Sequence, residues 1–256
     1  MSIKLPTKKV KATTKSPSNL IMFSKPKVGK SSLLAELPDC LLLDLENGSN
    51  FLDAVKIKAN SIEDIKEIGE EIKKAGHPYK YVAVDTITAL EDKCIPFAEK
   101  LYARKPMGKS WFKKDAKGNL TADSGKMQYG NILNLPNGAG YAYLREAMVK
   151  SIEYIKTLAP RVILVGHIKD VMLEKAGAEF TSSDLDLTGK IKRIMTSQSD
   201  AIGYLYRKGN KNILSFATND SVACGARPEH LRNKEIVLSE LEDNKFTTHW
   251  DEIYID

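Results

Sequence analysis

The chain has 256 residues, 42% hydrophobic and 28% charged, which is typical of a folded protein with one large domain and a sizeable core. No stretch approaches the roughly 18 consecutive apolar residues of a membrane helix, and the N-terminus lacks the apolar segment of a secretory signal. These features predict a cytoplasmic protein with no membrane partner. The formal net charge of +6 permits contact with nucleic acid, although a lysine-rich solvated surface explains it equally well.

The three cysteines, Cys40, Cys94 and Cys224, lie far apart and form no Cys-x-x-Cys motif. Neither a disulfide framework nor a zinc site is therefore predicted. The pattern fits a reducing compartment, and Cys40 is predicted to be a core residue because it begins an apolar run.

From Asn19 onward, strand-like and helix-like hydrophobic patterns alternate. In chain order the predicted elements are a strand at 20–23, a helix at 31–37, a strand at 40–45, a helix from 61 to 76, a strand at 81–85, helices near 89–102 and 144–158, a strand at 161–167, a helix near 191–197, and strands at 201–207 and 212–217. The alternation predicts an α/β domain over residues 18–256 with a mainly parallel sheet and right-handed crossovers. The turn at 208–211 predicts a late antiparallel hairpin at one edge.

Three segments lack this pattern. Residues 1–17 are rich in lysine and contain two prolines, which predicts a flexible basic arm. Residues 104–140 contain several lysines and show no clear period, so they are predicted to be irregular, whereas residues 168–190 are polar and contain glycines. Long loops inside a compact domain are more often functional than incidental.

The strongest motif is SKPKVGKS at residues 24–31, between a predicted strand and a predicted helix. It is close to the P-loop pattern G-x-x-x-x-G-K-[ST], in which backbone N–H groups surround the phosphates of a nucleotide, the lysine reaches the β- and γ-phosphates, and the hydroxyl ligates Mg²⁺. The nucleotide-binding residues are predicted to be Ser24, Lys25, Pro26, Lys27, Val28, Gly29, Lys30, Ser31 and Ser32. Ser24 departs from the pattern, because it stands where the first glycine is expected.

Acidic residues follow two other predicted strands. Asp85 ends an apolar strand, as does the Walker B acid that holds Mg²⁺ beside a P-loop, and we expect its strand to neighbour the P-loop strand. Asp44 and Glu46 end the second strand with alternate spacing, so they share a face. Glu46 is the predicted group that orients the attacking water. In the alternative, Asp44 caps a turn and Glu46 is merely solvated.

His167 ends the fourth strand, after a buried run, at the same predicted edge. This position makes it a candidate catalytic residue that senses the γ-phosphate. A lone histidine is otherwise more often structural.

The order of these motifs resembles the RecA-like ATPase core, a three-layer α/β fold. The closer likeness is to phage-encoded RecA-like ATPases of single-strand annealing and recombination, and it extends from about residue 18 to residue 227. Apart from the P-loop, the likeness depends on residues 41–48, 129–145, 164–169 and 187–205. The resemblance implies ATP and Mg²⁺ as cofactors, a role in DNA recombination or repair and, if the chain is phage-encoded, the cytoplasm of a host cell.

Individual roles also follow from the resemblance. Lys30 and Ser31 match the phosphate and Mg²⁺ positions, and Asp85 matches the Walker B acid. Glu46 matches the glutamate that activates water, and His167 stands where many relatives have a glutamine that links the γ-phosphate to a DNA-binding loop. The resemblance places that loop at 168–190 and another mobile loop at 104–140.

RecA-like ATPases commonly place their nucleotide between subunits, with a basic residue supplied by the neighbour. The resemblance therefore implies a homo-oligomer, and the candidates for that residue are Arg207, Lys208 and Arg227. The sequence does not choose among them, and for each a surface role is the simpler alternative.

Two basic sets are candidates for binding single-stranded DNA. The first interleaves an aromatic ring with lysines, as single-strand binders do, and comprises Lys105, Lys109, Trp111, Lys113 and Lys114. The second comprises Lys169, Lys175, Lys190, Lys192 and Arg193. The alternative is a set of solvated lysines with Trp111 packed inward.

The leading functional hypothesis is a DNA-stimulated ATPase acting on single-stranded DNA in recombination, annealing or repair, with a single-strand binding protein as a further possible partner. A ring helicase or loading motor with the same core is the first alternative, although no accessory helicase domain fits in this length. A P-loop small-molecule kinase is the second, and a non-catalytic nucleotide-binding scaffold is the third.

Overall fold

The computed structural model describes residues 5, 7–119, 125–175, 178–219 and 222–255. Its helices are α1 (Lys30–Ala35), α2 (Ile62–Lys74), α3 (Ile87–Lys93), α4 (Ile95–Ala103), α5 (Gly140–Ile155) and α6 (Gly189–Gln198). Its strands are β1 (Asn19–Ser24), β2 (Cys40–Asp44), β3 (Lys56–Lys58), β4 (Tyr81–Asp85), β5 (Arg161–Lys175), β6 (Ala178–Leu185), β7 (Ala201–Lys208), β8 (Lys211–Ser215), β9 (Gly225–Ala226), β10 (Glu235–Glu242) and β11 (Lys245–Thr248).

Within the described residues the strands form one sheet of order β11-β10-β8-β7-β1-β5-β4-β2-β3, with β6 paired to β5 and β9 to β7. The pairs from β7 through β1, β5, β4 and β2 to β3 are parallel. Strands β8, β10 and β11 continue the sheet in antiparallel pairing. The predicted parallel sheet with a late antiparallel hairpin is confirmed, but the hairpin of β10 and β11 was not predicted.

Helices cover both faces of the sheet and give the three layers of the predicted fold. Apolar side chains of α2 to α6 form one core with Ile21 and Phe23 of β1. Leu33 of α1 and Trp250, which lies near the C-terminus, form the other core with alternate β1 residues such as Leu20. A central parallel strand is buried on both faces, which explains why β1 reads as a continuous apolar run.

The helix predicted near residues 89–102 is two helices. Helix α3 ends at Lys93, and α4 begins at Ile95 with Pro96 in its first turn. Proline lacks an N–H and its ring clashes with the carbonyl of the preceding turn, so it starts a helix more readily than it continues one. Among the described residues, no helix is both long and apolar enough to cross a bilayer.

The segment 168–190, where the resemblance implies a loop, contains two paired strands among its described residues. Strand β5 continues to Lys175 and pairs in antiparallel register with β6, with Ile168 opposite Leu185. A two-stranded ribbon satisfies its backbone hydrogen bonds between its own strands, so it forms without the apolar run by which a buried strand is recognised. By contrast, the described part of 104–140 has only short 3₁₀ turns and an isolated bridge between Phe112 and Met127 before α5, which confirms that it is irregular.

The end of the predicted N-terminal arm is packed against the domain. Ser16 is buried, and its hydroxyl accepts a hydrogen bond from the backbone N–H of Ile255 at 2.9 Å. The described residues before it are exposed. The arm therefore joins the domain at Ser16 rather than after residue 17.

Candidate functional site

The predicted nucleotide-site residues meet at the carboxyl edge of the parallel strands. Ser24 at the end of β1 pairs in register with His167 of β5, and Asp44 at the end of β2 pairs with Asp85 of β4. The prediction that the Asp85 strand neighbours the P-loop strand is wrong, because β5 lies between β1 and β4. The start of α1 spans this separation, which brings Ser31 to Asp85.

The P-loop backbone has the alternating conformation of an anion-binding loop. Lys27 and Gly29 have φ values of 62° and 110°, in the left-handed region. Alternation of right- and left-handed residues turns successive N–H groups to one side, where they form a concave site for an anion. Ser24 belongs to β1 and has no positive φ, so its position does not need a glycine.

Lys30 is held by the loop itself. Its Nζ donates to Ser24 Oγ at 3.1 Å and to the Lys25 carbonyl at 3.2 Å, and the residue is only 6% exposed. Burial lowers the pKa of Lys30, although the nearby carboxylates of Asp85 and Glu46 oppose that effect. The serine at the place of the first glycine of the motif therefore supplies a hydroxyl that orients Lys30.

Ser31 and Asp85 form a pair of oxygen ligands suited to Mg²⁺. The Ser31 hydroxyl donates to Asp85 Oδ2 at 2.5 Å. Burial raises the pKa of Asp85; the hydrogen bond from Ser31 opposes this, and the carboxylate of Glu46 adds to it. A buried carboxylate in this state is stabilised by a cation, and Mg²⁺ typically takes one or two protein oxygens and completes its shell with water and nucleotide phosphates.

The two acids after β2 have different roles in the structure. Asp44 is 1% exposed and accepts hydrogen bonds from the backbone N–H groups of Glu46, Gly48 and Ser49 and from the Ser49 hydroxyl. Burial raises the pKa of Asp44, but these hydrogen bonds outweigh it and the pKa lies below its usual value. Asp44 therefore organises the turn that carries Glu46.

Glu46 is held by two groups that act on the same oxygen. The Thr86 hydroxyl donates to Glu46 Oε1 at 2.5 Å, and His167 Nε2 lies 2.9 Å from the same atom. Thr86 is fully buried and also caps α3 by accepting from the Ala89 N–H at 3.1 Å. No described residue donates to Glu46 Oε2, so one oxygen is fixed and the other is available to a water molecule.

His167 lies between the P-loop edge and the β5–β6 ribbon. Its backbone N–H donates to Thr88 Oγ1 at 3.3 Å, while its Nδ1 is buried and has no hydrogen-bond partner among the described residues. If Glu46 is ionised, His167 Nε2 carries the proton that it donates to Oε1. This arrangement matches the predicted place of His167, and its role as a sensor stays a prediction.

Helix α3 connects this site with the ribbon and with α6. The Thr88 hydroxyl donates to the Asp186 carbonyl at 3.3 Å, just after β6. The carboxylate of Glu91 accepts two hydrogen bonds, at 3.1 and 3.2 Å, from the backbone N–H of Thr188, which precedes α6. No sequence signal pointed to Glu91, because a single acid in a helix is usually solvated; here it is 8% exposed.

The three basic residues considered for a neighbouring subunit lie in two places. Arg207 donates to the Val28 carbonyl of its own P-loop at 3.0 Å. Lys208 follows it at the exposed end of β7. Arg227 lies at the opposite edge of the sheet, where it donates to Asp200 at 3.4 Å and to the Ser197 carbonyl at 2.7 Å. The structure thus places Arg207 on its own P-loop, and which of the three residues serves a neighbouring site stays a prediction.

The first basic set surrounds the loop after α4. Its lysines, Lys105, Lys109, Lys113 and Lys114, are all exposed. Trp111 is half-buried, packs against the core and makes an edge contact with Tyr129 at 5.4 Å between ring centroids. Trp111 is therefore not the free stacking ring that we predicted; Tyr129, which is 63% exposed, is the more accessible ring.

The second basic set is only partly available. Lys169, Lys190 and Arg193 are exposed, whereas Lys192 forms a salt bridge with Asp184. The Lys175 side chain lies outside the described part of the structure. Lys192 is therefore paired within the chain, and its part in DNA binding stays a prediction.

Lys190 of the second set lies at a cleft of about 460 Å³ between α5 and α6. Tyr141, Arg145 and Lys190 line it, and Tyr141 is 44% exposed. The sequence pointed to Lys190 but not to Arg145, which a helical pattern alone does not separate from an ordinary surface residue. The cleft combines an aromatic ring with two cations.

Comparison with known proteins places these observations in context. A family profile described as "AAA domain" matches residues 16–227. No curated protein matches the sequence. Among solved structures, the chain is similar to one titled "Crystal structure of the RadB recombinase", with 8% sequence identity and a TM-score of 0.46, over 91% of this chain and 92% of that chain.

Proposed function

We propose that this chain, which belongs to the AAA domain family, is a RecA-like enzyme that hydrolyses ATP with Mg²⁺. In this proposal it acts on single-stranded DNA in recombination, annealing or repair. The observation that carries the ATPase proposal is the convergence of Lys30, the Ser31–Asp85 pair and Glu46 at one edge of the sheet. These groups are the ones that P-loop hydrolysis requires.

Each group has a separate task in the proposed reaction. Lys30 leaves Ser24 Oγ and the Lys25 carbonyl to bind the terminal phosphates, where its charge stabilises the transition state. Ser31 and Asp85 would hold Mg²⁺, which supplies charge neutralisation between the phosphates. Glu46, with Oε1 held by Thr86 and His167, orients a water molecule through Oε2 for attack on the γ-phosphorus.

His167 offers a way for the nucleotide to influence the ribbon. It contacts Glu46 through its ring and Thr88 through its backbone, and Thr88 contacts the segment that follows β6. In our proposal, binding of the γ-phosphate changes the His167–Glu46 contact, and α3 transmits the change to the β5–β6 ribbon and α6. By thermodynamic linkage, DNA that binds the ribbon more tightly in the presence of ATP also strengthens the binding of ATP. Stimulation of hydrolysis by DNA is a separate part of the proposal.

Binding of single-stranded DNA is supported by the cleft of Tyr141, Arg145 and Lys190 and by the exposed Lys109 and Lys113. Aromatic rings stack on unpaired bases and cations neutralise phosphates. The proposal includes a homo-oligomer in which Lys208 or Arg227 reaches a neighbouring site.

The decisive test is ATP hydrolysis by the wild type and by Lys30→Ala, each with and without single-stranded DNA. Loss of the lysine charge is expected to reduce kcat by about 10²–10³-fold, as for removal of other preorganised charge-stabilising groups. The matched control is Lys74→Ala on the exposed surface of α2, which should behave as the wild type. Hydrolysis that is unaffected by DNA would favour a kinase, and no wild-type hydrolysis would favour a scaffold.

The DNA proposal is tested separately by the salt dependence of binding to an oligothymidine strand. Each phosphate contact to a single strand contributes about 0.7 to the slope of log K against log salt, so Lys109→Ala with Lys113→Ala should lower the slope by about 1.4. Lys73→Ala with Lys74→Ala on α2 is the control pair. Equal affinity for the DNA and for polyglutamate would contradict specific binding of single strands.

A further inference from the structure

A hydrogen-bonded series of three side chains connects the antiparallel strands with the P-loop backbone. Arg207 of β7 donates its Nη2 to the Val28 carbonyl at 3.0 Å and its Nε to Asn212 Oδ1 at 3.2 Å. Asn212 of β8 donates in turn to Ser239 Oγ of β10 at 2.9 Å. Asn212 and Ser239 are 5% and 1% exposed. This buried polar pair therefore orients the Arg207 guanidinium.

The Val28 carbonyl belongs to the same peptide unit as the Gly29 N–H. In a trans peptide these two groups point in opposite directions. When Arg207 holds the carbonyl on the outer side of the loop, the Gly29 N–H is turned towards the inner side, where phosphate binds. The contact is close, because a Cβ at Gly29 would lie 3.6 Å from Arg207 Nη2 and 3.5 Å from Asn212 Nδ2.

The loop needs an external support of this kind. Lys27 has a φ of 62°, a conformation that is unfavourable for a residue with a Cβ and that glycine or asparagine adopts more readily. A loop with such a residue relaxes to other conformations unless contacts outside it oppose the relaxation. The bond from Arg207 to Val28 is such a contact, one residue away from Lys27 along the chain.

We propose that Arg207 is a positioning residue which acts within its own chain and holds the P-loop in its phosphate-binding conformation. The inference rests on the proposed ATPase function, and it gives Arg207 a role different from that of an arginine supplied to a neighbouring site. The contact is made to the loop backbone and not to the reacting groups, so it stabilises bound ATP and the transition state alike. Such uniform binding changes KM and leaves kcat nearly constant.

The test compares Arg207→Ala and Arg207→Lys with the wild type in equilibrium binding of ATP and ADP and in steady-state hydrolysis. Arg207→Ala should weaken the affinity for both nucleotides about 10-fold and raise KM in parallel, as expected for one hydrogen bond from a charged donor. Lysine retains the charge but not the forked geometry, so the nucleotide affinity of Arg207→Lys should lie between those of the wild type and Arg207→Ala.

Arg232→Ala is the matched control. Arg232 is also exposed and also donates to a backbone carbonyl, that of Arg227 at 3.1 Å, but it lies at the opposite edge of the sheet. Its nucleotide affinity should equal that of the wild type. Unfolding midpoints of all variants show whether any loss of affinity comes from loss of the fold.

A second variant tests the reason for the effect. Asparagine tolerates the left-handed conformation better than lysine, so Lys27→Asn in the Arg207→Ala background should recover part of the lost affinity. If the double variant folds but recovers none of the lost affinity, loop positioning by Arg207 is contradicted.

Mixing experiments distinguish action within the chain from action on a neighbour. An arginine supplied to a neighbour would lower kcat by about 10³-fold or more on removal, and mixing Arg207→Ala with Lys30→Ala subunits would restore hydrolysis. Either result would overturn the proposal, which expects neither. A wild type that binds no ATP would refute the proposed function instead, whereas wild-type affinity in Arg207→Ala would refute only this inference.

Discussion

The two halves of the sheet divide the work of the molecule. The parallel half, from β1 through β5 and β4 to β3, carries at its carboxyl edge the groups for the proposed chemistry, and several of them are polar and buried. The antiparallel half consists of β8, β10 and β11 together with β7, which pairs with β1 in parallel and with β8 in antiparallel register. Within the described residues it carries none of those groups. It contributes the Arg207–Asn212–Ser239 series and the C-terminal Trp250 that packs on α1.

The difference follows from the geometry of the two kinds of pairing. In a parallel sheet every strand ends at the same edge, so short segments after several strands bring side chains from distant parts of the chain together. In an antiparallel sheet successive ends alternate between edges, so each edge receives fewer convergent groups. The antiparallel half is therefore better suited to supporting the P-loop than to reacting with nucleotide.

The largest effect is expected for Glu46→Gln, which tests whether chemistry is confined to the parallel half. The amide cannot act as a base, so kcat should fall by about 10²–10⁴-fold while ATP still binds. The measurement is single-turnover hydrolysis together with equilibrium binding, and Glu71→Gln on the exposed surface of α2 is the control. An unchanged kcat would remove Glu46 from the mechanism.

A smaller effect, on stability, is expected for Asp44→Asn at the same edge. Replacing one oxygen by an amide nitrogen leaves the Ser49 donors without an acceptor, so the free energy of unfolding should fall by about 2 kcal/mol, measured in urea. The control is Asp39→Asn, which is exposed and has a φ of 57° that asparagine accepts. An equal loss in both variants would contradict a special role for Asp44.

The difference in unfolding free energy between the wild type and Asp44→Asn should also depend on pH. Because the pKa of Asp44 is lowered in the folded state, its contribution is complete above the unfolded pKa and is lost as the pH falls through the folded pKa. The difference in unfolding free energy between wild type and Asp44→Asn should therefore decrease below about pH 4.

The smallest effect is expected in the antiparallel half, for Trp250→Phe. The indole Nε1 donates to the Leu33 carbonyl of α1 at 2.9 Å, and losing this bond should cost about 1 kcal/mol of unfolding free energy without changing kcat. Tyr254→Phe is the matched control, because its buried hydroxyl has no partner among the described residues and its removal should be neutral or stabilising. A loss of kcat in Trp250→Phe would contradict the proposal that the groups for the chemistry belong to the parallel half alone.

Local sequence determined much of the parallel half. The apolar runs of β1, β2, β4 and β5 predicted the core strands, and the P-loop motif with Asp85 predicted the nucleotide edge. These signals are strong because a strand that is buried on both faces needs apolar residues along its length. A phosphate-binding loop likewise restricts which residue type can occupy each of its positions. Ser61 as the N-cap of α2, which accepts from the Asp64 N–H at 3.0 Å, is equally local.

Only the tertiary structure decided the remainder. Strand order placed β5 between β1 and β4, pairing joined the end of β5 to β6 in a ribbon, and packing left Tyr129 more exposed than Trp111. The choice of Asp44 as a turn-forming acid and of Arg207 as a P-loop contact also depends on partners from 5 to 179 positions away along the chain. A residue type fixes what a side chain can donate or accept, but the fold alone decides which group it meets.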